Sequence, residues 1–499
     1  MGYLMGIDLG TSSVKTIVMA ENGEIRGSAQ GGYDILIPSI GYAEQQPETW
    51  WKAAAQTMRS AVADAGISPH EIESIGLSGQ MHGMVLIDDK HEVIRPAIVW
   101  SDQRSVREAE DAYRIVGKNE LGRITLNPAF TGFQTISLLW VKHHEPQNYG
   151  RISTVLSPKD YIRLKLTGEV GTDITDASAT LAFDTANQQW SSALIEKLGL
   201  EPDFYPKTFN PYEIAGQITR EASLETGLAA GTPVVFGGGD QPMQAVGNGI
   251  VLPGQVSLTI GTGGQAYSVV EHPYHDPQLR THTFCNAVPG TWNIMGATLS
   301  AGLSLSWLNK SLLSELPYND INTLAGGIRP GSEGLIFLPY LNGERTPHMD
   351  AAARGTFLGI TLKHDKAHFI RSVMEGVVFA LKDCVEILGG LGIPMNTFIA
   401  SGGGARSAVW MQIQADILNR EILKVEQAEQ ASAGAAIMAG VGIGRYSSIQ
   451  EACSTIVQYS ELSVSPISEN VCRYEELYEI YKDAYKQNKA LFQRLTEFQ

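Results

Sequence analysis

Gly6-Ile7-Asp8-Leu9-Gly10-Thr11-Ser12-Ser13-Val14-Lys15 is the stretch on which the reading of this chain turns. Residues 4–9 form a short apolar run, Gly10 to Ser13 are turn formers, and Val14, Thr16, Ile17 and Val18 are β-branched, so the pattern predicts strand, turn, strand. A turn with little side-chain bulk lets backbone N–H groups converge on an anion such as a phosphate. Asp8, just ahead of the turn, adds a carboxylate able to help place Mg2+, through waters because that ion gives up its hydration reluctantly.

Half a chain later the pattern restarts. Val256-Ser257-Leu258-Thr259-Ile260 leads into Gly261-Thr262-Gly263-Gly264 and then Gln265-Ala266-Tyr267-Ser268-Val269, a second strand, Gly-Thr turn and strand. A chain of 499 residues exceeds what one hydrophobic core sustains. Two domains, 1–250 and 251–499, facing each other across a cleft, account for both the length and the repeat.

Around these hairpins strands alternate with helices, the signature of an α/β protein. A helix runs from Pro47 to about Ala65, followed by a strand over residues 72–77. Pro233-Val234-Val235-Phe236 reads as a buried strand ending in Gly237-Gly238-Gly239, which sets Asp240 at a strand-to-helix turn. A long helix over 367–388 shows the stripe Phe369, Ile370, Val373, Val377, Leu381, Val385 and Leu388. A strand over 397–400 then enters Gly402-Gly403-Gly404, and a helix starting near Ser407 would add its positive end to that turn.

Composition narrows the partners. With 53 acidic against 37 basic residues and a formal charge of −16, the chain lacks the basic surface that nucleic acid or an anionic membrane requires. The longest small-apolar run, residues 431–444, is too short and glycine-rich to span a bilayer. Cys285, Cys384, Cys453 and Cys472 lie far apart with no zinc-ligand spacing, as suits reduced thiols in a cytoplasmic protein.

Phosphoryl transfer to an alcohol needs a polyphosphate cradle, a divalent ion and a carboxylate that takes the hydroxyl proton. Glycine-rich turns, Asp8 and Asp240 supply all three, although an Asp at a helix start can also be a plain cap. Competing motifs fall away. There is no GxxxxGK[ST]; the GxGxxA at residues 261–266 is followed by strand formers where a dinucleotide site needs a helix; and Gly76-Leu77-Ser78-Gly79-Gln80 lacks the last glycine of a nucleophile elbow. Gln80 and His82 interrupt two apolar strands, as structural residues or as ligand contacts.

The chain resembles the FGGY carbohydrate kinases, which share the actin and Hsp70 type of ribonuclease H-like fold. The resemblance is carried by residues 6–15, 76–83, 96–105 (PAIVWSDQRS), 237–240, 343–360 (GERTPHMDAAARGTFLGI) and 401–420 (SGGGARSAVWMQIQADILNR). It implies ATP and Mg2+ as cofactors, Asp240 as general base, and Asp8 and Asp240 as the carboxylates nearest the metal. Thr11, Ser12, Ser13, Lys15, Gly261, Thr262, Gly403 and Gly404 would surround the phosphates, with Gly302, Ser306 and Ser407 near the nucleoside. Met81 and His82 would contact the sugar, bordered by Gln80, Trp100, Asp102, Arg104 and Gln241. Gln80-Met81-His82-Gly83 points to D-xylulose, phosphorylated on its terminal primary hydroxyl as a step of pentose catabolism.

Two stretches depart from the family pattern. Gln241, Pro242 and Met243 stand where Asn and small residues are usual, and Ile136-Ser137 stands where Pro-Lys is common. Both bear on which sugar is used, so another ketose such as ribulose, a polyol such as glycerol, or an aldonate such as gluconate stays open. An actin- or Hsp70-like ATPase and a non-catalytic sugar sensor are rivals of another class, set against an apparent sugar segment and intact carboxylates. A homodimer is a further expectation of the family.

Overall fold

Residues 2–426, 429–460 and 463–498 are described by the computed structural model. The opening stretch forms the expected hairpin: β1 (Tyr3–Leu9) and β2 (Ser13–Met19) pair antiparallel with Asp8 opposite Lys15. β3 (Ile25–Gly32) extends it, α1 (Pro47–Ala65) follows, and β4 (Ile72–Gly79) lies parallel to β1 on the other side. β5 (Ile214–Gln217) and β6 (Pro233–Val235) complete the sheet in the order β5-β6-β4-β1-β2-β3. β7 (Gly238–Gly239) pairs with the end of β4, and α2 (Asp240–Gly247) starts directly after it.

The second hairpin repeats this plan. β8 (Gln255–Ile260) and β9 (Gly264–Val270) pair antiparallel, and β10 (His282–Cys285) and β11 (Trp292–Thr298) extend the sheet on the β9 side. After α3 (Gly302–Leu312) and α4 (Lys366–Gly390), β12 (Thr397–Gly402) adds in parallel to β8. α5 (Ala408–Leu418), β13 (Ile422–Lys424), α6 (Gln430–Gly442) and α7 (Ser468–Leu495) finish the chain, and the sheet order is β10-β11-β9-β8-β12-β13. Two α/β domains thus face each other, each built on a hairpin with a parallel neighbour.

β1 reads as an unbroken apolar run because both its faces are covered. Met5, Ile7 and Leu9 pack with Trp50, Ala54 and Met58 of α1, whereas Leu4 joins the cluster of Ala433, Ala436 and Ile437 from α6. The apolar run at 431–444 is therefore this core helix, and although it belongs to the second half of the chain it lies on the first sheet. Glycine makes the approach possible: a Cβ on Gly6 would stand 1.8 Å from the Ser432 carbonyl oxygen, and one on Gly76 1.8 Å from that of Ala435. Among the described residues no helix is long and apolar enough to cross a membrane.

α4 departs from the expected single stripe. It is buried on nearly every side, with Phe369 and Val385 only half-buried, because α7 covers the face that a surface helix would give to water. α7 docks through tyrosine hydroxyls: Tyr474 donates to Glu375 Oε1 at 2.6 Å and Tyr478 to Asp383 Oδ1 at 2.6 Å. These bonds satisfy carboxylates that burial would otherwise penalise. All four cysteines are free thiols, and only Cys472 is exposed.

Candidate active site

Strand register sets the two proposed carboxylates on either side of β4. Asp8 of β1 lies beside Ser78 of β4, and Gly238 of β7 lies beside the same Ser78 from the opposite flank, with Asp240 two residues on. Both leave the carboxyl-terminal edge of parallel strands, where open α/β sheets hold ligands. Ser78 Oγ donates to Asp8 Oδ1 at 2.7 Å. Burial pushes the Asp8 carboxyl up, while the Ser78 bond and the Lys15 charge pull against it.

Asp240 is pushed up to about 7, by burial first and then by the negative charge of Asp8, with hydrogen bonds from Gln241 opposing the rise. A carboxyl group poised near neutrality can accept a proton from an alcohol at ordinary pH. The helix that carries it is clamped to α6 by a reciprocal glycine contact. A Cβ on Gly247 would stand 1.8 Å from the Gln430 carbonyl oxygen, and one on Gly434 1.9 Å from that of Met243.

A first cavity of about 690 Å³ is lined by Asp8, Gly10, Ser13 and Lys15 from the first hairpin and by Gly402, Gly403 and Arg406 from the third glycine turn. The structure thus brings these two turns together. Lys15 Nζ forms an ion pair of 2.5 Å with Glu429, a residue that sequence reasoning did not single out because its partner is more than 400 positions away. Thr11 and Ser12 sit at the tip of the turn outside this lining; Thr11 Oγ1 accepts from Trp100 Nε1 at 2.8 Å, and its carbonyl accepts from Gln45 Nε2 at 2.7 Å.

A second cavity of about 800 Å³ is bordered by Trp100, Phe130, Thr262, Leu303, Asn342 and Arg345. Thr262 borders this second cavity. The carbonyls of Gly261 and Thr262 accept from the N–H groups of Gly302 and Ala301, at 2.8 Å and 3.0 Å, which docks the turn onto the start of α3. Gly302 thus joins the turn to α3, and Ser306 lies one turn further along the helix.

Met81 packs against the backbone that precedes Asp240, since a Cβ on Gly239 would meet its Cγ at 2.7 Å. His82 has a φ of 66°, in the left-handed region, and its Nδ1 shares a 2.8 Å hydrogen bond with the Ala179 carbonyl. A bulky residue held in that region implies a backbone fixed by its surroundings. Its ring lies 4.3 Å from that of Phe133, and burial lowers its pKa to about 4, so the imidazole is neutral. Gln241 links the two domains, its Oε1 accepting from Gln265 Nε2 of β9.

Several expected contacts have other work. Gln80 is buried, its Nε2 donating to Gln45 Oε1 at 3.1 Å, while its Oε1 has no hydrogen-bond partner among the described residues. Asp102 and Arg104 form an internal ion pair at 2.7 Å, and Arg104 also reaches Glu44 at 2.7 Å and stacks 3.9 Å over the Tyr42 ring. Both side chains are almost wholly buried, and Asp102 lines the second cavity next to Trp100. Ser407 is the N-cap of α5, accepting from Trp410 N at 3.1 Å and donating to Asn322 Oδ1 at 2.7 Å. Gly404 packs on Ile260, while Gly403 alone of the pair lines the first cavity.

Paired hairpins, a nucleotide-sized cavity and a near-neutral carboxyl beside a second one define an ATP-dependent phosphotransferase of the actin-like fold. The chain belongs to the FGGY family of carbohydrate kinases, matching its N-terminal domain over residues 3–247 and its C-terminal domain over residues 256–443. It is 34% identical to a xylulose kinase of Bacillus subtilis over 498 residues, 100% of this chain and 99% of that one. A crystal structure of a xyloylose kinase from Brucella ovis superposes with a TM-score of 0.91 at 36% identity, covering 98% of this chain and 100% of that one. A gluconokinase of Bacillus subtilis is 28% identical over 515 residues, 100% of this chain and 98% of that one.

Proposed function

We propose that this carbohydrate kinase transfers the γ-phosphoryl group of ATP to the terminal primary hydroxyl of D-xylulose, giving xylulose 5-phosphate and ADP. The observation that carries the mechanism is the Asp240 carboxyl, poised near pH 7 beside Asp8 at the edge of the sheet. Asp240 takes the proton of the attacking hydroxyl. Lys15, Gly10 and Gly403 line the cavity that receives the triphosphate. Met81, His82 and Trp100 would bound the sugar, and closure of the domains would keep water from the transferred group.

Mg2+ fits the chemistry of this cavity. Asp8 borders it, its Oδ1 is taken by Ser78, and its second oxygen accepts no hydrogen bond among the described residues. Those residues include no cluster of three or more His, Cys, Asp or Glu suited to a metal, so water and phosphate oxygens would complete the coordination. When bound, the ion neutralises charge on the phosphates. Similarity to the xylulose kinases supports the ketose, and the more distant gluconokinase supports an aldonate as second reading. A coupled ADP-release assay over D-xylulose, D-ribulose, gluconate and glycerol decides between them; D-xylulose should give the highest kcat/KM, and a higher value for another sugar overturns the choice.

A further inference from the structure

The second cavity holds an arginine whose guanidinium has no hydrogen-bond or ion-pair partner among the described residues. Of its two arginines, Arg354 donates NH1 to the carbonyls of Ala351 and Ala353, both at 2.9 Å. The guanidinium of Arg345 has no hydrogen-bond or ion-pair acceptor among the described residues; it lies 5.6 Å from the centre of the Phe130 ring. Its neighbour Glu344 does not bond it. That carboxylate is spent on Thr298 Oγ1 at 2.5 Å, Leu299 N at 2.9 Å and the backbone N–H of Arg345 at 2.7 Å. A partly desolvated cation without a hydrogen-bond acceptor is costly, and the face of Phe130 and the nearby charge of Glu344 offset only part of that cost.

The position of Arg345 says which part of a sugar it would meet. The Phe130 ring that it faces lies 6.2 Å from that of His282, and the Phe133 ring lies 6.3 Å from His282 and 4.3 Å from His82, so Arg345 borders the same group of rings as His82. Asp8 and Lys15 line the first cavity instead. Asp240 is not in the lining of the cavity that holds Arg345, so a sugar held along these rings with its reacting hydroxyl at Asp240 would turn its other end toward the guanidinium. In a 2-ketose that end carries two adjacent oxygens, a hydroxyl on C1 and a carbonyl on C2. A planar fork of N–H donors, unable to accept, matches a pair of acceptor oxygens.

Resting on the ketose reading above, we infer that Arg345 binds the hydroxyketone end of the open-chain sugar and sets the preference for a ketose over the corresponding polyol. Xylitol offers a hydroxyl in place of the carbonyl, and that hydroxyl must find an acceptor of its own in front of a group with none to give. Arg345 is a specificity residue, not part of the proton transfer.

The test compares Arg345→Met and Arg345→Lys with the wild type on D-xylulose and xylitol, together with KM for ATP and melting temperature. Arg345→Met should raise KM for D-xylulose about 10- to 100-fold, the worth of charge-assisted hydrogen bonds. kcat and KM for ATP should hold, and the xylulose-to-xylitol preference should shrink by the same factor as the sugar affinity. Arg345→Lys should recover part of it. Melting temperature should stay level or rise, because an unpaired desolvated charge has been removed. Equal losses on both sugars with a lower melting temperature would make Arg345 structural and overturn the inference. An unchanged KM for D-xylulose in Arg345→Met, with the wild type preferring that sugar, overturns this inference alone. A wild type that prefers another class of sugar overturns the ketose reading and this assignment with it.

Discussion

The hairpins at residues 3–19 and 255–270 share a skeleton and differ in charge. In the first, Asp8 stands opposite Lys15 and beside Ser78; in the second, Thr259 stands opposite Gln265 and beside Ser401. Each pair across the parallel strands is joined by a 2.7 Å hydrogen bond, Ser78 to Asp8 and Ser401 with Thr259. Each residue across the hairpin reaches the other part of the molecule, Lys15 to Glu429 and Gln265 to Gln241. The architecture is duplicated and the chemistry is not. A second carboxylate at Thr259 would add negative charge beside a cleft meant for a polyphosphate, so neutral donors suit that side. The Gly-Thr turn is thus a feature of the scaffold, and the difference in charge resides in what stands two positions ahead of it.

The largest test of this asymmetry removes the charged side's base. Asp240→Asn should lower kcat about 100- to 10,000-fold, the range for loss of a general base, while nucleotide binding measured by calorimetry survives. Its effect on stability runs the other way. The Asp240 carboxyl has its pKa raised to about 7, so its neutral form favours folding at low pH and that contribution is lost as pH rises through about 7. Asn keeps the neutral form at every pH, and the melting temperature of the variant should exceed that of the wild type more at pH 8 than at pH 6. Near-normal turnover in Asp240→Asn would remove it from the mechanism.

A smaller loss is expected from exchanging the residues that distinguish the hairpins. Asp8→Thr makes the first turn like the second and should cost on the order of 100-fold in kcat/KM. It also removes the negative charge that helps raise Asp240, so the acid limb of the surviving activity should move to lower pH. The reverse exchange, Thr259→Asp, should appear mainly as a raised KM for ATP, with the pH profile of kcat held. Equal effects from the two exchanges would break the comparison, because they would make the turns chemically equivalent.

Most of the scaffold was legible because its signals are local. β-branched runs flanking a Gly-Thr turn need no partner to be recognised, and Pro47 with its apolar face marked α1 to its observed end at Ala65. Helix α6 was legible only as an apolar run, since its burial depends on Gly6 and Gly76 in strands hundreds of residues away. At the site, the sheet edge that gathers Asp8 and Asp240 followed from placing each at the end of a strand. Side-chain allegiance did not follow. Asp102, Arg104 and Ser407 look like ligand contacts in sequence and also bond within the protein, whereas the guanidinium without a hydrogen-bond acceptor lies in GERTP, a segment whose sequence does not say which of its charges is satisfied. Pairing is a property of the fold, not of residue type.

The finest distinction between the hairpins is the hydroxyl that each carboxyl-edge residue bonds. Ser78 and Ser401 occupy equivalent positions, are both almost fully buried, and make bonds of equal length. Removing Ser401 deletes a bond between neutral groups, so Ser401→Ala should cost about 0.5–1.5 kcal/mol of unfolding free energy and leave the shape of the pH profile unchanged. Ser78 donates to a carboxylate, a bond worth about 1.5–3 kcal/mol, and it opposes the rise that burial imposes on Asp8. In Ser78→Ala, Asp8 holds its proton to higher pH, so activity at pH 6 should fall relative to pH 8 by more than in the wild type. Denaturant titration gives the first quantity and pH-dependent kcat/KM the second. If Ser401→Ala changed the profile as Ser78→Ala does, an ionisable group would have to lie behind Thr259 as well, and the charge difference between the hairpins could no longer explain the division of labour.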